Sequence, residues 1–169
     1  MRKYGVVVAL VVVSVAVWAS SSPAISSPQV FSLLEVSTPN GDQQIGDFTF
    51  NRPPVGGDQV GFTNALYKWA GTKKGARAGR DQGLITFVTG FGSDFSQKAT
   101  AHFVVQIYLQ GGTVLIQGYG QINPNGPSKY TFPVVGGTGK YDNVRGHLDV
   151  RDLGDGNQSK TNLEFHLLP

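Results

Sequence analysis

The chain has 169 residues, 40% apolar and 15% charged, with 23 Gly, 9 Pro, no Cys and a formal net charge of +3. That length suits one domain, or one domain plus a targeting segment, and Gly at about twice its usual share argues against a helix bundle. The lack of Cys excludes a disulfide scaffold, a thiolate metal site, a cysteine nucleophile and a lipid anchor on Cys.

The N-terminus carries Arg2 and Lys3, then an uncharged apolar run from Gly5 to Ala19, then Ser20-Ser21-Ser22-Pro23-Ala24. This is the three-part layout of a secretory signal peptide over residues 1–24, with Ser22-x-Ala24 as the cleavage site. The run is shorter than the ~20 residues that span a bilayer; an uncleaved anchor is the alternative. The expected product is a domain over residues 25–169, secreted, with no lipid anchor and no stable membrane association after cleavage. Its net charge falls to +1, because the leader removes Arg2 and Lys3 but no acid. The basic residues Lys73, Lys74, Arg77 and Arg80, with Asp81 next to them, read as solvated hairpin and edge charges. Nucleic acid is therefore not an expected partner.

Beyond the leader, period-2 runs are broken by Gly, Pro, Asn and Asp, which predicts strands and turns. Eight strands are expected, over 30–37, 60–69, 82–90, 100–109, 113–121, 129–135, 144–152 and 162–168. The one long connection, 39–59, is expected to hold a turn of helix or to cover one end. In the fourth run Ala101, Phe103, Val105, Ile107 and Leu109 share one face and Thr100, His102, Val104, Gln106 and Tyr108 the other. Alternation alone leaves open which face points inward. The expected class is all-β: an eight-stranded antiparallel up-and-down barrel, with room for side chains or one small ligand and no exposed sheet edge. A two-sheet sandwich is the competing arrangement.

Several motifs read as structure. Gly136-Gly137-Thr138-Gly139-Lys140 has the outline of a phosphate loop but lacks the following Ser or Thr and precedes a strand, so it is expected to be a tight turn. Asp152-x-Gly154-x-Gly156 lacks the ligands of a calcium loop and reads as a hairpin. His102, His147 and His166 lie in separate strands without metal-ligand spacing, and ordinary polar or core positions are expected for them. No Gly-x-Ser-x-Gly elbow is present. Three polar residues stand out. Glu35 interrupts the apolar run Val30-Phe31-Ser32-Leu33-Leu34-Glu35-Val36, Asn64 lies in a strand where Asn is disfavoured, and Arg145 is a fixed cation beside Gly146.

Phe62-Thr63-Asn64-Ala65-Leu66-Tyr67, Lys73-Lys74 and Gly83-Leu84 resemble plant allene oxide cyclase. Gly79-Arg80-Asp81-Gln82-Gly83-Leu84, the Gly136-to-Tyr141 segment and Arg145-Gly146 are closer to dirigent proteins. The resemblance to this superfamily runs over about 30–168. It implies a barrel, commonly a homotrimer, with an apolar cavity open at one end and no cofactor. In allene oxide cyclase a first-strand Glu stabilises developing positive charge and polar groups hold a water; Glu35 matches that Glu and Asn64 one of the water-holding amides. Arg145 matches the Arg with which dirigent proteins, together with acidic residues, guide quinone-methide cyclisation. Two positions depart from the cyclase pattern: Ser37 stands for an Asn and Ile85 for a Cys.

The expected function is a secreted, cofactor-independent cyclase or isomerase. It would fold a reactive apolar small molecule by conformational restriction, with electrostatic help from Glu35. Glu35, Asn64 and Arg145 are the expected catalytic residues; Ser37, Phe62, Ile85, Phe87 and Tyr119 are expected to line the ligand site. A non-catalytic, lipocalin-like carrier is the alternative, and an exported trimer with a filled core is a third reading.

Overall fold

The computed structural model describes residues 24–45, 52–93, 95–124, 129–153 and 160–169. The expected leader, apart from Ala24, and residues 154–156 of the hairpin expected at Asp152-x-Gly154-x-Gly156 lie outside these residues. The strands are β1 (Gln29–Ser37), β2 (Gln43–Ile45), β3 (Gln59–Trp69), β4 (Lys74–Phe87), β5 (Ala99–Leu109), β6 (Gly112–Ile122), β7 (Lys129–Gly139), β8 (Arg145–Asp152) and β9 (Lys160–Leu168). The order is β1-β9-β8-β7-β6-β5-β4-β3, and a β1–β3 pairing closes the ring. Every pairing is antiparallel, so the eight-stranded barrel is the observed architecture.

Three boundaries differ from the sequence reading. The connection over 39–59 holds a short strand in its described part, not a helical turn. Strand β2 pairs with β3 at Val60 on the same edge that β1 uses at Asn64, so it continues the track of β1 after a turn. That turn is fixed by Gly41 N–H donating to Thr38 O at 2.9 Å, Thr63 N–H donating to Gly41 O at 3.0 Å, and the Thr38 hydroxyl donating to Thr63 O. Strand β4 begins at Lys74, eight residues before the expected start at 82. Its first half shows no apolar alternation because that end is exposed. The cations there use aromatic faces, with Lys74 Nζ 3.7 Å from the Tyr67 ring centre and the Arg80 guanidinium 4.4 Å from that of Tyr108. Lastly, the expected Gly136–Lys140 turn is mostly strand. Strand β7 runs through Gly139 and the reversal falls at 140–144.

The apolar face of each alternating strand points inward. Phe103 and Ile107 of β5, Val114 and Ile116 of β6, Leu148 of β8, and Leu163, Phe165 and Leu167 of β9 form one buried cluster. Near the tip of the β5–β6 hairpin the lumen is filled: Tyr141, Val144, Val114 and Leu66 are buried there, and Lys140 N–H donates to Gly111 O at 2.9 Å. Further along, two inward glycines make room for rings. A Cβ on Gly118 would lie 2.8 Å from Phe132, and one on Gly120 would lie 2.6 Å from Tyr130. Phe103, Tyr130 and Phe132 gather in the space so left, with ring centres 5.1 to 5.7 Å apart.

Candidate active site

The end of the barrel away from that hairpin encloses a cavity of about 370 Å³, within the usual range for small-molecule sites. All eight barrel strands contribute to its wall, so it is the lumen itself. The wall is largely apolar, with Phe62, Ile85, Phe103, Val105, Tyr130 and Phe132 among its residues. Carboxylates interrupt it: Glu35, Asp42, Asp81 and Asp152.

Period-2 geometry puts the polar group together. Glu35 and Ser37 on β1, Asn64 on β3 and Asp81 on β4 all occupy inward positions. The register sets Ser37 against Asn64 and Asn64 against Asp81, so the three lie in one row across three strands. Asn64 ties the acids together. Its side-chain amide donates to Glu35 Oε1 at 2.9 Å, and its backbone N–H donates to Asp81 Oδ1 at 3.1 Å. Asn64 is 6% exposed and Asp81 1% exposed. Glu35 is half-buried and opens into the cavity.

The two carboxyl groups share a hydrogen bond, and both are harder to ionise than usual. Burial is the larger cause for Glu35, followed by repulsion from Asp81, with further repulsion from Asp42 and Asp152; its pKa is pushed well above the ordinary value. Burial raises Asp81 to about 6, and hydrogen bonds from Glu35 and Asn64 hold it from going higher. Burial and mutual repulsion therefore favour a pair that keeps a proton longer than free carboxyls do. The sequence expectation gave Glu35 a charged role, and its burial works against that charge.

A dependence of stability on pH follows. A carboxyl whose pKa is raised by folding binds more protons in the folded state, so stability is greatest below the unfolded value and falls as pH rises through the folded one. For Asp81 the window is 3.8 to about 6. Chemical denaturation between pH 4 and pH 7 is expected to show stability falling through that window. The same series on Asp81→Asn is expected to be flatter.

The expected ligand-site residues separate into two groups. Glu35, Ser37, Phe62, Asn64 and Ile85 meet in the cavity. Phe87 faces inward but packs edge-on against Phe91, ring centres 5.8 Å apart, and is not part of the lining. Tyr119 is 68% exposed on the outer face, with its ring 4.7 Å from His102. It sits one residue out of phase with the inward Gly118 and Gly120. Arg145 is also outside the cavity; it is exposed at the start of β8 and donates to Val144 O at 2.9 Å. Asp81 was read as an edge charge and is instead the most deeply buried acid of the site. The signal was present in its phase, since Asp81, Gly83, Ile85 and Phe87 alternate on one face, but the basic residues before it hid the pattern.

No protein-family model matches the chain, and no curated protein matches it. Solved structures do. The pterocarpan synthase dirigent protein GePTS1 aligns with a TM-score of 0.62 at 15% identity, over 83% of this chain and 88% of that one. The exo-specific intermolecular Diels-Alderase AbnU gives 0.59 at 16% identity, over 83% and 96%. The chain has the dirigent type of barrel. Pyocyanin demethylase aligns as well, with a TM-score of 0.57 at 20% identity, over 83% of this chain and all of that one.

Proposed function

We propose that this dirigent-type barrel is an exported, cofactor-independent cyclase or isomerase acting on a reactive apolar small molecule. The observation that carries the reading is the buried Glu35–Asp81 pair, held by Asn64 in the wall of an otherwise greasy lumen. A buried protonated carboxyl next to an ionised one can donate a proton to a substrate oxygen, while the neighbouring charge stabilises the cation that results. The aromatic wall on β7, across the lumen from β3, would hold the substrate folded and keep water out. The names of the structural neighbours support small-molecule chemistry in this type of barrel: a pterocarpan synthase and a Diels-Alderase.

The lipocalin-like carrier is the second reading, and Ile85 favours it. An aliphatic chain lines the cavity where the allene oxide cyclase pattern has a thiol, which enlarges the apolar wall at the expense of reactive groups. A filled core is disfavoured by the cavity itself. Glu35→Gln distinguishes enzyme from carrier. With a substrate identified by incubating the protein with reactive apolar metabolites, the variant is expected to retain binding and lose conversion. Full conversion by the variant, or unchanged ligand with the wild type, would leave the carrier reading.

A homotrimer forms part of the proposal. Val104, Leu115 and Val135 are exposed apolar residues around an outer groove of about 490 Å³ on β3 to β7. A stripe of that kind on a barrel wall suits burial against another copy. Light scattering after size exclusion is expected to give three chains for the wild type and one for Leu115→Lys. A wild-type monomer would refute the assembly.

A further inference from the structure

The barrel brings together two of the histidines that lie far apart in the sequence. His147 on β8 is directly opposite His166 on β9, and Asp149 is directly opposite Glu164. All four point outward, since Leu148 between them on β8 and Leu163, Phe165 and Leu167 on β9 point into the core. The two imidazoles are stacked, with centres 4.4 Å apart and planes 11° from parallel. One ligand atom from each of His147, Asp149 and His166 lies within 4.8 Å of the others. His166 Nε2 is 3.0 Å from Glu164 Oε1 and 3.9 Å from Asp149 Oδ2.

We propose that His147, His166 and Asp149, with Glu164 as a fourth donor, form a surface site for a divalent transition ion, zinc or copper. The donor set is two imidazoles and two carboxylates, the chemistry these ions select and calcium or magnesium do not. The spacing is near what is needed. Donors around tetrahedral zinc stand about 3.3 Å apart, so rotations of exposed side chains would close the gap without moving the strands. Asp149 is already oriented. The Thr131 hydroxyl on β7 donates to its Oδ1 at 2.5 Å, leaving Oδ2 directed at His166; an outer partner of this kind fixes a metal-binding carboxylate. Two further observations bear on affinity. Arg145 and Arg151 flank the quartet on the outward face of β8, which would weaken the site. The donors come from only two paired strands, so the backbone holds them in register before any ion arrives.

The test is calorimetric titration of the tag-free chain with zinc chloride and, separately, copper(II), with folding of each variant checked by circular dichroism. The expected result is one ion per chain, removed by EDTA and accompanied by a rise in Tm. Thr131→Val is expected to weaken binding about tenfold, and His147→Ala or His166→Ala by more than that. The third histidine is the control, and His102→Ala is expected to bind as the wild type does. Absence of saturable binding would overturn the site. So would binding that persists in the folded His147→Ala/His166→Ala double variant; the quartet would then be only a hydrogen-bonded clasp between β8 and β9.

Discussion

Glu35→Gln is expected to lower turnover by roughly 10²- to 10⁴-fold, the range over which a positioned acid contributes to catalysis. The replacement keeps the shape and keeps an oxygen to accept from the Asn64 amide, so the cavity should persist. What it removes is the proton. An amide at this position can donate a hydrogen bond to Asp81 but cannot hand over a proton to a substrate. The same change should make the protein more stable, not less, above neutral pH. In the wild type, raising the pH forces a second negative charge onto two buried carboxyls that already repel each other. The shift of Asp81 from 3.8 to about 6 corresponds to about 3 kcal/mol of stability lost between acidic and neutral pH. Some of this should be recovered when the repelling partner is uncharged. An expected pH–rate profile accompanies the pair. Activity rises as Asp81 ionises near pH 6 and declines once Glu35 loses its proton. Loss of activity together with a lowered Tm at pH 8 would mean that Glu35 holds the fold and not the chemistry.

Gly146→Ala should destabilise the barrel by about 3 kcal/mol or more, as read from denaturant midpoints. Two costs add. The backbone at Gly146 has φ of +129°, where side chains are strained, and a Cβ there would lie 1.9 Å from His166 O on the paired strand β9. That oxygen is main chain and cannot rotate away, so β8 and β9 would have to separate. Gly71→Ala gives the comparison. Its φ is +84°, but nothing lies within 4 Å of the added carbon, so only the strain of about 1–2 kcal/mol is expected. Equal effects at the two glycines would show that the close approach of β8 to β9 contributes nothing. The Gly after Arg145, noted in the sequence as part of a family resemblance, thus has a physical reason: two strands pass too near for any other residue.

Alternation carried most of the fold. Runs such as 100–109 and 162–168 show one apolar face each, and both became barrel strands with that face inward. It failed where strand and burial part company. The start of β4 is a strand without a core, so Lys74 to Arg80 show no pattern to read. The glycines of β7 look like a turn because glycine serves turns and close strand packing equally. For the site, Glu35 and Asn64 were visible as polar residues in strands that had no need of them. Asp81 was masked by adjacent cations whose side chains point elsewhere. Tyr119 and Phe87 show a further limit. Aromatic character cannot report phase, nor whether a ring faces open space or another ring. A barrel could bring two of the histidines together, but which two depends on the register between strands and not on spacing within either, and so His147 and His166 could not be singled out.

The filled end of the barrel bears on how molecules come and go. Among the described residues Tyr141, Val144 and Leu66 fill the hairpin side, so the proposed reaction requires a substrate to come and go from the other end of the chamber. Under that proposal a guest must leave before the next can enter, and tight retention of product would throttle repeated cycles. A molecule longer than the chamber would leave its tail trailing outside, where enlargement of that tail costs nothing in fit.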